Sequence, residues 1–221
     1  MVDESSIRSL LANESYSSSS VSQLEEHLVA QVKGDAPYMA DSVRRLVKMY
    51  QLFPSTSNPE NIGRACLLAA LQFPQTDLLA LRYLIPATIL SAEPCATIQK
   101  CSSLLEACQF TDFWSTYETL KSHSDAALAG LATRSVPDVQ KSILTALSLT
   151  YKQAPTSVVC QALNVANVDA VKGLNHSAVV DSADATTVTF VASMDNTKHE
   201  RVYQENVDFA SISSLMTKIT Q

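Results

Sequence analysis

Leu104-Leu105-Glu106-Ala107-Cys108-Gln109-Phe110-Thr111-Asp112-Phe113-Trp114 decides how this chain folds. It reads as the end of one helix, a very short corner and the start of the next. Leu104, Leu105 and Cys108 continue the apolar stripe of the first helix. The hydroxyl of Thr111 is suited to accept a free backbone N–H, so Thr111 is the expected cap of the second. Phe110, Phe113 and the only tryptophan, Trp114, supply the largest apolar area available to hold two antiparallel helices together. A corner of this kind belongs to a helical stack and carries no chemistry, which points to a protein that binds and positions.

Upstream, apolar spacing is helical almost throughout. Ser20-Val21-Ser22-Gln23 matches a capping box. The stripe Val21, Leu24, Leu28, Val32 follows it, and Gly34 ends it. Pro37 is placed to open the next helix, where Val43, Leu46, Val47 and Tyr50 share a face and Pro54 lies just past the end. Asn58-Pro59 caps a third helix with Ile62, Cys66, Ala69 and Phe73 as its stripe. A short helix from about Asp77 to Ile85 ends before Pro86, and Pro94 opens one with Ile98, Cys101, Leu105 and Cys108 on one face. Beyond the corner, Phe113, Tyr117 and Leu120 continue the stack. The segments recur roughly every 18–20 residues, as helix hairpins do in solenoids. No sequence signature repeats, so the stack is irregular. Ser15 to Ser20, rich in serine, reads as a loop.

After Ser124 to Arg134 the pattern changes. Ser135 and Pro137 start a helix with Val139, Ile143 and Leu147 inward; Thr156 caps a second carrying Val159 and Leu163; Asn167 caps a third carrying Val168, Val171 and Leu174. Thr186 to Ala192 is rich in β-branched residues with Val188 and Phe190 on one face, a strand for which Ser177 to Asp181 is the candidate partner. Three helices followed by a β-hairpin is the order of a winged helix. At the end, Asp208 is the expected cap of a helix whose Ile212, Leu215, Met216 and Ile219 stand at i, i+3, i+4 and i+7. This narrow seam either folds back on its own domain or packs against helices of other chains; its position and apolarity favour the second. The fold expected is therefore mainly α: a helical-repeat domain over residues 1–133, a winged-helix domain over 134–205 and a C-terminal helix over 206–221.

Composition narrows the function. The 221 residues are 46% hydrophobic and 17% charged, a balance that suits a globular, well-buried chain. The net charge of −6 gives no general attraction to nucleic acid. Residues 1–133 carry most of it, with 9 basic and 14 acidic side chains. No apolar run approaches the roughly 20 residues that span a bilayer, and Met1-Val2-Asp3-Glu4-Ser5-Ser6 is unlike a secretory signal. A cytosolic or nuclear location is expected, in which the five cysteines are reduced thiols. The sequons Asn13-Glu14-Ser15 and Asn175-His176-Ser177 have no meaning there.

Catalytic patterns are missing. The four glycines, Gly34, Gly63, Gly130 and Gly173, are too scattered for a phosphate-cradling loop. His27, His123, His176 and His199 have no ligand-like partner nearby and read as structural or solvent-facing. Cys101 and Cys108 lie two helical turns, about 10 Å, apart, so these and Cys95 read as small hydrophobes and no metal is expected. Glu25-Glu26 reads as a solvated helix face. A groove-reading third helix would need several cations, but Asn167 to Leu174 offers Asp169 and a single Lys172, and the wing carries Asp181 and Asp184 before Lys198 and Arg201. Protein contact is therefore favoured over specific DNA binding.

Four stretches resemble one family in order and spacing from about Ile7 to Met216: Val47-Lys48-Met49-Tyr50-Gln51 with Pro54 after it; Pro74-Gln75-Thr76-Asp77; Leu104 to Phe110 with Phe113-Trp114; and Val207 to Met216. The family is the k subunits of eukaryotic translation initiation factor 3. Gly173 to Ala183 departs from it in lacking the aromatic residues expected before the wing. The resemblance implies a HEAT/TPR-like repeat domain followed by a PCI-like winged helix, and a cytoplasmic, non-enzymatic scaffold subunit without cofactor. It implies subunit l of that factor as the nearest neighbour, contact with the small ribosomal subunit through the complex, and no membrane. Other readings are a PCI-type subunit of the signalosome or proteasome lid, and a winged-helix regulator of nucleic acid. The residues carried forward as a protein interface are Ile212, Leu215, Met216 and Ile219.

Overall fold

Helically spaced apolar residues form helices over most of the chain in the computed structural model, which describes residues 4–12, 16–174, 179–197 and 209–219. In chain order the described elements are α1 (Glu4–Ala12), α2 (Val21–Lys33), α3 (Ala40–Leu52), α4 (Pro59–Ala70), α5 (Asp77–Arg82), α6 (Ala87–Leu90), α7 (Cys95–Glu106), α8 (Phe110–Lys121), α9 (Ala126–Arg134), α10 (Val136–Thr150), β1 (Gln153–Pro155), α11 (Thr156–Leu163), α12 (Val168–Gly173), β2 (Val180–Ala183), β3 (Thr187–Phe190) and α13 (Phe209–Ile219). Both sequons, His176, His199, Lys198, Arg201 and the expected cap Asp208 lie outside the described residues.

The stripes of α2, α3 and α10 are buried as their spacing requires, and so are Ile62, Cys66 and Ala69 of α4 and Ile98, Cys101 and Leu105 of α7. Successive helices pack on one another, α2 on α3, α7 on α8 and α8 on α9, while α4 lies against α7. That last approach is close: a Cβ at Gly63 would stand 2.7 Å from Pro94 Cγ. One core runs from Val21 to Phe190 without a break between helices and sheet.

α8 is the joint of the structure. Phe113, Trp114 and Tyr117 pack edge-on or tilted with ring centroids 5.1 to 5.9 Å apart. Tyr117 donates its hydroxyl to Ala132 O of α9 at 2.9 Å, and Trp114 donates Nε1–H to Ala162 O of α11 at 2.8 Å. The second bond meets a backbone need. The last four carbonyls of any helix have no partner within it. In α11 those of Cys160 and Gln161 accept from Val165 N and Asn164 N, as Asn164 turns the chain in a left-handed conformation with φ 50°. The carbonyl of Leu163 accepts from Gln140 Nε2 at 2.9 Å, and Trp114 takes that of Ala162.

The strands form one antiparallel sheet in the order β1-β3-β2. Val188 of β3 pairs with Ala154 on one side and Ala183 on the other, and all three are buried. The partner of β3 is thus β2, shifted from the expected Ser177–Asp181, and β1 is a third strand with no forecast in the sequence. α6 and α9 are likewise unforeseen. Asp125 caps α9 through Ala127 N at 3.0 Å, and Leu128, Leu131 and Ala132 face inward.

Several caps differ from expectation. Thr111 is the second residue of α8, which Gln109 precedes with no side-chain cap bond. The corner is instead made by Cys108 at φ 57°: Cys108 N bonds Leu105 O at 3.0 Å and Gln109 N bonds Leu104 O at 2.9 Å. Cys108 therefore stands beyond α7 and is exposed rather than continuing its stripe. Gly34, at φ 89°, makes the same turn at the end of α2, where the sequence does signal it. Ser20 is helical and makes no cap bond, because Ser18–Ser20 already form a short 3₁₀ turn with Ser17 ahead of it. α3 starts at Ala40 rather than near Pro37, since buried Gln31 accepts Met39 N–H and holds Met39 extended. Thr156 and Asn167 make no cap bonds, and the Thr156 hydroxyl donates instead to Asp184 O at 2.8 Å.

Two substitutions test this description in urea unfolding followed by far-ultraviolet circular dichroism. Trp114→Phe keeps a ring but leaves the Ala162 carbonyl without its donor, and should cost about 1–3 kcal/mol. Cys108→Gly relieves a left-handed residue of its Cβ and should raise stability by about 0.5–1 kcal/mol.

Candidate functional site

α13 carries a single charge, Lys218, among eleven residues. Its Ile212, Leu215, Met216 and Ile219 form one stripe and are 46%, 63%, 63% and 75% exposed. Phe209, 85% exposed, extends the stripe by a turn. The signal for it in the sequence is its place three residues ahead of Ile212, one helical turn along the same face. Apolar side chains are thereby concentrated on one face of the helix.

A second apolar surface lies where the end of α10, β1 and α11 meet the α7–α8 corner. It is a groove of about 380 Å³ lined by Phe110, Leu147, Tyr151, Val158 and Cys108 among others. Tyr151 and Val158 are half exposed. Nothing in the sequence marks it, because its walls come from segments about forty residues apart that the packing of α8 on α11 brings together.

Elsewhere the polar groups serve the fold. Tyr50 donates its hydroxyl to Glu25, and Asn61 Nδ2 donates to Glu25 Oε1 and to Tyr50 Oη, each at 3.2 Å. Burial pushes the Tyr50 hydroxyl well above the usual tyrosine range, and its bond to Glu25 adds to this. Glu25 is thus half-buried inside a hydrogen-bonded cluster, unlike the solvated face expected for Glu25-Glu26; Glu26 is exposed. The chain of contacts continues from Asn61 to Arg64, whose Nε and Nη2 donate to Asp125 at 2.8 and 3.0 Å. Asp125 in turn caps α9. His27, 2% exposed, lies within hydrogen-bonding distance of Ser42 and Gln31 between α2 and α3. His123 accepts Asp125 N–H at 3.1 Å.

Cys95 and Cys101 are buried as small hydrophobes. Burial pushes the Cys101 thiol up to about 12, and the neighbouring Cys95 thiol, with burial, pushes Cys66 up. Among the described residues no three His, Cys, Asp or Glu side chains are grouped to hold a metal ion. Asp169 and Lys172 of α12 are both exposed, as are Asp181 and Asp184 around the β2–β3 turn. No helix among the described residues is long and apolar enough to cross a membrane.

Comparison with known proteins gives these surfaces a context. No protein-family model matches the chain. A eukaryotic translation initiation factor 3 subunit K from Dictyostelium discoideum is 28% identical over 161 residues, which cover 73% of this chain and 62% of that protein. The proteins of the same name from Mus musculus and Caenorhabditis elegans are 25% and 22% identical over 201 and 194 residues. These matches cover 91% and 82% of this chain, and 89% and 81% of the two relatives. The chain is similar to subunit K of eukaryotic translation initiation factor 3 over most of its length. The matched Dictyostelium stretch is less than two thirds of that subunit K.

The Arg64–Asp125 pair has a pH signature. The Arg64 guanidinium, with side chains of both partners under one fifth exposed, holds the Asp125 carboxyl below the usual aspartate range. A carboxyl depressed in the folded state adds stability that is full above its unfolded pKa, about 4, and is lost as pH falls through its folded value. Asp125→Asn should cost about 1–3 kcal/mol at neutral pH, and the unfolding curves of the two proteins should converge below about pH 3. A difference that stays constant from pH 7 to pH 3 would contradict the pairing.

Proposed function

We propose that this chain is a non-enzymatic scaffold subunit of a translation initiation factor 3 complex, one that binds the small ribosomal subunit and supports the start of protein synthesis. The observation that carries the reading is the similarity to subunit K proteins over nine tenths of the chain. The exposed stripe of α13 suggests how it docks: apolar side chains that water meets in the isolated chain are covered by helices of neighbouring subunits. On this reading residues 1–133 form a helical-repeat domain of the HEAT/TPR kind, 134–205 a PCI-like winged helix and 206–221 the docking helix. The order α10, β1, α11, α12, β2, β3 with sheet order β1-β3-β2 supports the winged helix. Subunit l is the proposed neighbour, and the cytoplasm the proposed location.

Acidic and polar surface favours protein over nucleic acid as the partner. A helix reading the major groove places several cations against phosphates, whereas α12 offers one Lys172 beside Asp169.

The test is affinity purification of the tagged chain with Leu215→Asp and Ile219→Asp. Each buried leucine-sized side chain is worth about 1.5–3 kcal/mol, so recovery of the other initiation-factor subunits should fall by roughly tenfold or more. The circular dichroism and unfolding midpoint of the isolated chain should not change. Undiminished recovery removes α13 from the interface. Signalosome or proteasome-lid subunits, recovered with the unaltered chain, overturn the assignment of the complex.

A further inference from the structure

We propose that Cys66 and Cys95 are a redox-responsive pair, which hydrogen peroxide joins in a disulfide between α4 and α7. The two helices approach closely where these cysteines stand: a Cβ at Gly63 of α4 would lie 2.7 Å from Pro94 Cγ. Cys66 is one helical turn beyond Gly63 and so on the same face, and Cys95 follows Pro94 as the first residue of α7. Both cysteines are thus turned into one contact, and each is 2% exposed. Their sulfurs interact. The hydrogen bond from the Cys66 thiol holds the Cys95 thiol below the usual cysteine range against the opposing effect of burial, and the same bond, with burial, pushes Cys66 well above it. The other thiols are placed differently. Cys101 is six residues along α7 from Cys95, about 9 Å of rise, beyond the span of a disulfide. Cys108 is exposed at the α7–α8 corner, and Cys160 is half-buried on α11.

Cys95 is the sulfur that reacts first. It begins a helix of 12 residues, whose N-terminal end favours a thiolate. Ser91, Ala92 and Glu93 just ahead of it are exposed, so it lies close beneath the surface. The Cys95 thiolate attacks one peroxide oxygen and the O–O bond breaks. The departing hydroxide takes up the proton the thiol gave up and leaves as water, and Cys95 is a sulfenic acid. The Cys66 thiol then loses its proton as its sulfur attacks that of Cys95. The S–O bond breaks, and the second hydroxide leaves as water with that proton. Each sulfur is oxidised by one electron, and the peroxide is reduced by two. Burial favours this ending, because a sulfenic acid enclosed between α4 and α7 has the Cys66 sulfur beside it and bulk peroxide outside. The new bond encloses residues 67–94, with α5 and α6 among them, and takes freedom from the unfolded chain. It opens again when a thiol reductant returns.

The full chain, reduced and purified alone, is exposed to hydrogen peroxide, blocked with iodoacetamide in urea and digested with trypsin. Cuts after Arg64, Arg82 and Lys100 put Cys66 and Cys95 on separate peptides. Mass spectrometry without reduction should find these two peptides linked about tenfold or more above any other cysteine pairing, because the fold holds the two sulfurs together. Oxidation in urea should remove that preference. The oxidised chain should melt about 5–10 °C higher than the reduced one, and dithiothreitol should reverse both changes. In Cys66→Ala the second step has no sulfur, so dimedone should trap Cys95 as its sulfenic acid, about tenfold more than in the parent. The link in the parent is read independently of whether that variant folds. A Cys66–Cys95 link no more abundant in the folded chain than other pairings overturns the proposal. So does oxidation of Cys108 and Cys160 that leaves Cys66 and Cys95 as free thiols. None of these readouts involves another subunit, so they stand or fall apart from co-purification.

Discussion

The Trp114 indole N–H on the Ala162 carbonyl ties α8 to α11 inside the continuous core. Its leverage comes from where it falls. A short helix such as α11, eight residues long, has half of its carbonyls unpaired by its own backbone. Two are closed by the left-handed turn at Asn164, and the other two are met by side chains from α8 and α10. At the other end, the Thr156 hydroxyl and amide reach the β2–β3 turn through Asp184 O and Thr186 O. The sheet is therefore positioned by α11, and α11 by α8. Phe113 and Tyr117 fix the rotation of α8 against α9, so the indole cannot swing away without disrupting an aromatic cluster.

Polar chemistry is consumed in the same manner throughout. The Glu25, Tyr50, Asn61, Arg64 and Asp125 groups run as a connected chain across α2, α3 and α4 to the cap of α9. No buried side-chain nitrogen or oxygen among the described residues lacks a hydrogen-bond partner. A group so satisfied resists changing its partner, because leaving it unpaired in a low-dielectric interior costs more than the bond itself returns. Closed networks of this sort hold the helices they join at fixed relative positions.

How far the sequence announces this depends on the kind of force. Burial by helical period is a many-residue signal, and it placed Val43, Leu46, Val47 and Tyr50, or Val139, Ile143 and Leu147, inward without error. Chain reversals depend on one residue each. Gly34 is readable because glycine is favoured at positive φ, whereas Cys108 and Asn164 adopt the same conformation without that signal. The expected caps Ser20 and Thr111 are not caps, because an upstream 3₁₀ turn and the left-handed turn at Cys108 set the two helix starts instead. β1 is three residues ending in Pro155, too short to show alternation, and exists only because β3 is there to pair with it. The stripe of α13 was legible as four residues with helical spacing. The groove was not, since no single segment contains it.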